Sequence, residues 1–356
     1  MRAALAVLIA IALACLFGPF LTGHAPERIY PDLVRIGPGL ASHPTREEIR
    51  PAIDRLAFRM RLPLDDVSVA GGRVRLTIAA DKPVDARSLV YLSRSALFGP
   101  PEVVERRADG TPRVVEAGIA RLSFPLGTDT VGRDLLTRCL VAGRISLLIG
   151  LVAAAASLLI GVAYGAVSGM AGGGVDAAMM RVVDALYSLP FVFFVILLLV
   201  FFRAGLWLVL AAVAAVEWLD MARIVRGQTL SLKNRDYVRA ARALGLSAPA
   251  ILARHVVPNA LGPILAAAAL TVPRVILLES FLSFLGLGVQ EPATSWGVLI
   301  AEGARSIEAA PWMLAAPAGF LVVTLLALNA LGEALEAALP GRHRRAGPMP
   351  AGINSP

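Results

Sequence analysis

Few residues in this chain have the types and spacing that catalysis or metal binding requires. His24, His43, His255 and His343 are scattered, without the H-E-x-x-H spacing that sets two imidazoles on one helix face for zinc, and each reads as a solvated or locally bonded histidine. Ser146 and Ser283 have no partnered base, and Cys15 and Cys139 are too few for a disulfide framework or a metal site. The chain contains no G-x-x-x-x-G-K-[ST] phosphate loop. Ala171 to Gly174 is glycine-rich but lacks the Lys and Ser/Thr that hold phosphates and Mg²⁺, so it reads as a turn. The chain is therefore not expected to be an enzyme or to bind a cofactor itself. Arg274 and Glu279 stand out because they interrupt an apolar run. Charged groups cost about 2.5–3.5 kcal/mol at the centre of a membrane helix, which drives them to a bundle interior or a wet cavity. They are candidates for lining a translocation path; the alternative is that Arg274 lies near a membrane face and pairs locally.

The composition supports a membrane setting. Of 356 residues, 57% are hydrophobic and 17% charged, with a mean hydropathy of +0.70; soluble domains run near 45–50% apolar and about 25% charged. This excludes a cytosolic enzyme, a disordered tail and a fibrous protein. A spanning helix needs about 20 mostly apolar residues. Candidates are Ala3–Leu21, Ile145–Val167, Val183–Phe202, Ala204–Leu219, Leu261–Leu287 and Pro311–Leu331, giving six spans if the first is retained. A cleaved signal peptide is the rival reading of the first, since Arg2 precedes the apolar run. The third and fourth are joined by a short turn around Phe202 to Gly205.

Charge gives the orientation. The net charge is +8, carried almost wholly by arginine. The region Arg223–Arg254 holds seven cationic side chains and one acid, Asp236, a net of +6, and the tail adds Arg342, Arg344 and Arg345. The connection Gly288–Ala310 has a net of −2. By the positive-inside rule the arginine-rich loop, the tail (341–356) and both termini are cytoplasmic, so the basic excess reports topology rather than a nucleic-acid partner. Residues 22–123 are then extracytoplasmic. Their 16 basic and 13 acidic residues and lack of a long apolar run resemble a soluble domain. Thr45 and Glu48 form a capping box ahead of Ile49, Ile53, Leu56 and Met60 at helical spacing. Val67–Ile78 reads as a hairpin turning at Gly71-Gly72, Val84–Phe98 as a second helix, and Val103–Arg106 with Arg113–Glu116 as a second hairpin. The segment reads as a small α+β insertion, either a docking or gating surface or a lineage-specific insertion packed on the membrane domain.

The motifs begin at Phe124. Leu126-Gly127-Thr128-Asp129, then Gly132-Arg133-Asp134, precede Gly143-Arg-Ile-Ser-Leu at the second span. Next come Asp176 to Asp184 with Pro190, then Asp236-Tyr237-Val-Arg239-Ala240-Ala241-Arg-Ala-Leu-Gly245 with Arg254-His255 and Pro258-Asn259. Leu278-Glu279, Leu282 to Gly288, Pro292 and Ser295-Trp-Gly297 follow, and Asn329 to Glu336 with Pro340 closes the series. Together these closely resemble the inner-membrane permeases of peptide and nickel ABC importers, most of all the second of the two paired permeases. The resemblance covers about 124–340, plus the first span by position, and omits most of 22–123. It implies an all-α polytopic membrane protein with the six-span ABC importer type I permease fold, in a bacterial inner membrane.

The function the resemblance implies is half of a channel for di- or oligopeptides or similar small solutes, working by alternating access. Implied partners are a second permease, two ATPase subunits that use ATP and Mg²⁺, and an extracytoplasmic binding protein. Alternatives are a membrane scaffold or sensor using the outside segment, or an exporter of the same fold. Residues 234–258 match the family's ATPase-coupling loop: Asp236, Tyr237, Arg239, Ala240, Ala241, Gly245, Arg254 and Pro258. Asn234–Gly245 reads as a short helix with Tyr237, Ala240, Ala241 and Leu244 toward one face, ended by Gly245; Ser247 then caps a second short helix running toward His255. Arg239 departs from the family, which often has Glu before the two alanines. That implies either a compensating acid on the ATPase or a rim position that accepts both signs.

Overall fold

The computed structural model describes residues 1–79, 89–108, 110–202 and 205–338. In chain order its elements are α1 (Arg2–Leu21), β1 (Ser42–His43), α2 (Arg46–Met60), β2 (Leu64–Ala70), β3 (Arg73–Ile78), α3 (Val90–Arg94), β4 (Glu102–Arg106), β5 (Pro112–Gly118) and β6 (Leu122–Ser123). There follow α4 (Leu135–Ala156), α5 (Val162–Ala171), α6 (Gly173–Tyr187), α7 (Phe191–Phe201), α8 (Leu206–Leu232), α9 (Asp236–Ala243), α10 (Ala248–Ile251), α11 (Val257–Phe284), α12 (Trp296–Ala304) and α13 (Trp312–Ala338). Single π turns, Ser157–Gly161 and Leu252–Val256, join α4 to α5 and α10 to α11. The chain divides into two compact units. A sheet unit comprises Phe17–Val141 and Glu302–Pro317; a helical unit comprises Met1–Leu16, Ala142–Ala301 and the chain from Ala318.

The sheet unit is built from local signals. Thr45 and Glu48 make the capping box of α2, the Thr45 amide donating to Glu48 Oε2 at 2.8 Å. Burial of the Glu48 carboxyl pushes its pKa up. Hydrogen bonds from His43 and the Thr45 amide, with the charge of His43, outweigh this and hold it below the usual range. Gly71 and Gly72 have φ of 60° and 75°, as a two-residue hairpin turn requires, and pair Ala70 with Arg73. The antiparallel order is β2-β3-β5-β4. Val74, Leu76 and Ile78 alternate inward and pack with Ile49, Ile53, Leu56 and Met60 of α2. Arg73 and Arg75 point outward and pair with Glu102, Glu105 and Glu116 of the neighbouring strands. Both expected hairpins form. Of the expected helix Val84–Phe98, only Val90–Arg94 is α-helical among the described residues; 80–88 lie outside them. The unit is also wider than 22–123, taking in the 127–134 motif and Glu302–Pro317.

In the helical unit and its neighbouring runs, four helical stretches are long and apolar enough to cross a membrane: Arg2–Leu21, Leu135–Ala171, Ala248–Phe284 and Trp312–Ala338. The stretch read as one span over Val183–Phe202 is two helices. Pro190 lacks an N–H and biases Leu189 away from helical angles, so α6 ends at Tyr187 and α7 starts at Phe191. Arg203 and Ala204 of the expected turn lie outside the described residues, as do Pro340 and the tail 341–356. The reading Ala204–Leu219 is too short: α8 continues to Leu232 and carries charges in its second half.

Close approach, rather than bulky side chains, joins α5 to α8. Gly161, Gly165 and Gly169 repeat every four residues. A Cβ on Gly161 would meet Met221 Cβ at 2.6 Å, one on Gly169 would meet Thr229 Cβ at 2.7 Å, and one on Gly165 would overlap the Ala222 carbonyl. In α1, Pro19 lacks the N–H that would bond the Cys15 carbonyl. Arg144 supplies the donor instead, its Nε reaching Cys15 O and its Nη2 reaching Leu16 O, both at 2.7 Å.

Candidate functional site

The arginine-rich segment 234–258 begins with a short helix that packs against the start of a long one. α9 opens at Asp236 and closes in a full Schellman motif. Gly245 N–H donates to Arg242 O at 3.0 Å and Leu246 N–H to Ala241 O at 3.2 Å. Gly245 has φ +84°, the left-handed region that glycine occupies without strain. Val238 and Ala241 face inward against Ile251 and Val256, with Met170, Leu232, Leu246 and Leu252 at the margin. Tyr237, Ala240 and Leu244 line up at i, i+3 and i+7 and stay exposed, whereas Ala241, at the edge of that stripe four residues after Tyr237, is covered by the Ile251 and Val256 side. Tyr237 is 41% and Leu244 82% exposed. Ser247 does precede α10, though its side chain makes no capping hydrogen bond. The second helix is not a free-standing piece: α10 runs through the π turn carrying Arg254 and into α11, which contains Pro258 near its start.

Deeper in the helical unit, carboxylates and arginines pair. Arg274 of α11 donates to Glu217 Oε2 at 2.9 Å and Asp220 Oδ2 at 2.6 Å, both on α8. Asp176 of α6 accepts from Arg226 Nε at 2.6 Å and Nη2 at 2.7 Å, and from Ser168 Oγ at 2.5 Å. Arg223 pairs with Asp184 at 2.9 Å and lies over the Tyr187 ring at 4.2 Å. Arg274, Asp220, Arg223 and Glu336 line an open groove of about 740 Å³, whose remaining surface is largely apolar, including Met221, Pro263 and Leu270.

Glu279 does not join that groove. It is fully buried within the chain, accepting from Ser283 Oγ at 2.6 Å and Ser295 Oγ at 2.7 Å through Oε1, while Oε2 has no partner among the described residues. Arg274 and Glu279, five residues apart on one helix, are thus placed in different surroundings.

The 127–134 motif is a clasp within the sheet unit. Asp129 Oδ1 accepts from the Val131 and Arg133 amides at 2.9 and 2.8 Å, and Oδ2 from Arg133 Nε at 2.7 Å and Arg138 at 2.8 Å. Arg138 also holds Glu302 at 2.6 Å. Thr128 Oγ1 donates to Leu33 O at 2.6 Å and accepts from the Ile36 amide at 2.8 Å. Gly127 and Gly132 take φ of 80° and 87°, and a side chain on Gly132 would overlap the Tyr30 carbonyl. Asp134 Oδ2 caps α4 through the Thr137 amide at 2.8 Å. These residues fix the turn, most of their donors and acceptors being spent on one another and on the backbone, while Asp134 Oδ1 is buried with no partner among the described residues.

Sequence reasoning passed over Glu217, Asp220, Arg226 and Glu302. A usable signal existed for the first two. Glu217, Asp220 and Arg223 recur at i, i+3 and i+6 in a helix that is otherwise apolar at its start, the mark of one polar stripe. Among the described residues, no group of three or more His, Cys, Asp or Glu is arranged to hold a metal ion.

Comparison with known proteins gives the context. Residues 161–344 match the family described as "Binding-protein-dependent transport system inner membrane component". The oligopeptide transport system permease protein OppC of Escherichia coli (strain K12) is 56% identical over 218 residues, covering 61% of this chain and 72% of that protein. The dipeptide transport system permease protein DppC of Bacillus subtilis (strain 168) is 46% identical over 220 residues, covering 62% and 69%. A solved structure of the MetNI methionine ABC transporter, inward facing, covers 58% of this chain and 96% of its own at 17% identity and a TM-score of 0.47. With its membrane-length helices, its matched core and its permease relatives, the chain belongs to the inner-membrane permease components of binding-protein-dependent ABC transport systems.

Proposed function

We propose that this chain forms half of the translocation channel of an ATP-driven importer for di- and oligopeptides or similar small solutes, cycling by alternating access. The observation that carries the reading is the 56% identity to an oligopeptide permease across 72% of that protein's length. The chain has no phosphate loop of its own. ATP and Mg²⁺ are therefore assigned to two partner ATPase subunits, docked at residues 234–258. A second permease completes the channel, and an extracytoplasmic protein delivers the solute.

Six spans fit the helices: α1, α4–α5, the broken pair α6–α7, α8, α10–α11 and α13. With both termini cytoplasmic, the sheet unit is extracytoplasmic. The groove at Arg274 and Asp220 is assigned to the translocation path, where an arginine held by two carboxylates, Asp220 and Glu217, in a membrane segment has its use. Glu279 supports the path from behind, by holding α11 to the Ser295 segment.

The test is uptake of a radiolabelled tripeptide by cells whose only copy of this permease is the wild type or Gly245→Asp, with co-purification of ATPase subunits scored in parallel. The reading expects uptake and a bound ATPase for the wild type, and loss of both for the variant. A wild-type chain that purifies without any ATPase under gentle conditions points to the scaffold or sensor role. Peptide efflux in place of uptake points to an exporter.

A further inference from the structure

Within the sheet unit, a pocket of about 580 Å³ opens between the start of α2 and the hairpin turn of β2 and β3. Its walls come from three stretches of chain, within 42–49, 69–72 and 119–121. Backbone pairing holds these stretches together: β1 sets Ser42 opposite Ser123 of β6, and the Ile119 amide donates to Gly72 O at 2.9 Å. A Cβ on Gly71 or Gly72 would stand in open space, so the turn leaves this end of the unit uncrowded. Ile49, Val69 and Ile119 give the pocket an apolar lining, and Val69 is left 47% exposed in it.

The charged side chains of the lining are Arg46 and Arg121, both cationic and both exposed. Among the described residues neither holds a carboxylate, whereas Arg50, Arg55, Arg73 and Arg75 of the same unit each do. The nearest acids in sequence, Glu47 and Glu48, do not line the pocket, and Glu48 is engaged by His43 and the Thr45 amide. A cleft lined by charges of one sign concentrates counter-ions. Two cations beside an apolar lining call for a ligand with an anionic end and an apolar body. We infer that this pocket binds the carboxylate end of a short peptide, with Arg46 and Arg121 on the C-terminal carboxylate and Ile49, Val69 and Ile119 against the last side chain. Guanidinium groups take carboxylates through charge-assisted hydrogen bonds. Pockets for small molecules run to about 300–1,000 Å³, so the space suffices. A bare phosphate would leave the apolar lining uncovered. That the ligand is a peptide rests on the proposed importer reading, to which the pocket adds a part for the insertion in holding the solute; the demand for an organic carboxylate rests on the pocket alone.

The test titrates the detergent-purified full chain with radiolabelled alanyl-alanyl-leucine in equilibrium dialysis, with its C-terminal amide as the comparison. The free acid is expected to bind, and the amide to bind about tenfold or more weakly. Arg46→Gln combined with Arg121→Gln brings the free acid down to the affinity of the amide. The same pair changed to Lys keeps the charge and most of the binding. Val69→Asp weakens the free acid as well. All three positions are exposed, so elution of the variants as intact chains is expected and is checked. A tripeptide ending in benzoylphenylalanine, crosslinked by light, is expected to label 42–49, 69–72 or 119–121.

Equal binding of acid and amide overturns the inference, as does free-acid binding that survives the double Gln change or label confined to the helical unit. Octanoate bound at the labelled site more tightly than the tripeptide assigns the pocket to a fatty acid, and overturns it too. Uptake by cells is read separately. If wild-type cells import the tripeptide but the purified chain shows no binding that depends on Arg46 and Arg121, the pocket fails and the importer reading stands. If arginine-dependent binding is present and wild-type cells import no tripeptide, the pocket stands and the importer reading fails.

Discussion

The sheet unit and the helical unit are held together by different forces. In the sheet unit α2 lays Ile49, Ile53, Leu56 and Met60 on the inner face of a four-stranded sheet, and charges stay on the outside as a ladder across β3, β4 and β5. This is burial of apolar surface from water, worth about 25 cal/mol per Å². In the helical unit the outer surface is itself apolar, with Leu151, Leu159, Phe193 and Trp207 all largely exposed. Against lipid, such burial gives little drive to associate. Instead backbones meet at Gly161, Gly165 and Gly169, and the carboxylates of Asp176 and Glu217 are buried against arginines of neighbouring helices that stay partly exposed. The sheet unit keeps its apolar side chains inside and its ion pairs outside, whereas the helical unit puts large apolar side chains on its surface and buries carboxylates, as expected if one meets water and the other lipid.

This contrast can be broken at specific residues. The largest effect is expected from Gly165→Leu, because even a Cβ there overlaps the Ala222 backbone. A loss of about 3 kcal/mol or more should appear as collapse of the monodisperse peak in detergent size-exclusion. Ile53→Ala, in the core of the sheet unit, should cost about 3 kcal/mol and open that unit to protease while the membrane helices stay protected. Asp176→Ala strands Arg226. Since that guanidinium is about a third exposed, the cost should be about 2 kcal/mol, below the range for fully enclosed pairs. Asp176→Ala combined with Arg226→Met should recover part of the loss in thermal melting of the detergent-solubilised chain.

The smallest effect is expected at Glu48→Gln, about 0.5–1 kcal/mol from the weakened cap. Glu48 is held below its ordinary value in the folded chain, so its stabilising contribution is present above the unfolded carboxylate value of 4.5. That contribution is lost as pH falls through the lower folded value. The wild-type advantage over Glu48→Gln, read from urea midpoints of the sheet unit, should therefore persist at pH 6 and shrink steadily below about pH 4.5.

What could be read from sequence follows the same division. The α2 cap, the Gly71-Gly72 hairpin and the Schellman glycine are each decided within six residues of chain, so their side chains announce them. The four membrane-length helical stretches were legible as apolar runs, whereas the break at Ser188–Pro190 was not, because it interrupts an apolar run without lowering its hydropathy. Partners across helices were illegible. Nothing near Arg274 says that Glu217 and Asp220, more than fifty residues earlier, will receive it. Ala240 and Ala241 are chemically identical, and only the packing of Val238 on Ile251 and Val256 decides which of the two is covered. The motif at 127–134 was legible as a pattern, but not as the clasp it forms with Arg138, Glu302 and the Tyr30 region.

The unbroken run from α10 through the π turn into α11 has a mechanical side. At about 1.5 Å per residue, Ala248 and Arg274 lie about 39 Å apart along one rod, so a tilt of about 5° pivoted at one end carries the other through about 3 Å. That is the width of a hydrogen bond. Pro263 and Pro273 each delete a rung of the ladder, and the π turn loosens another, so the rod has three places at which to yield. How stiff those three joints are determines whether a push on the loop moves the Arg274 ion pairs or is spent in bending the helix.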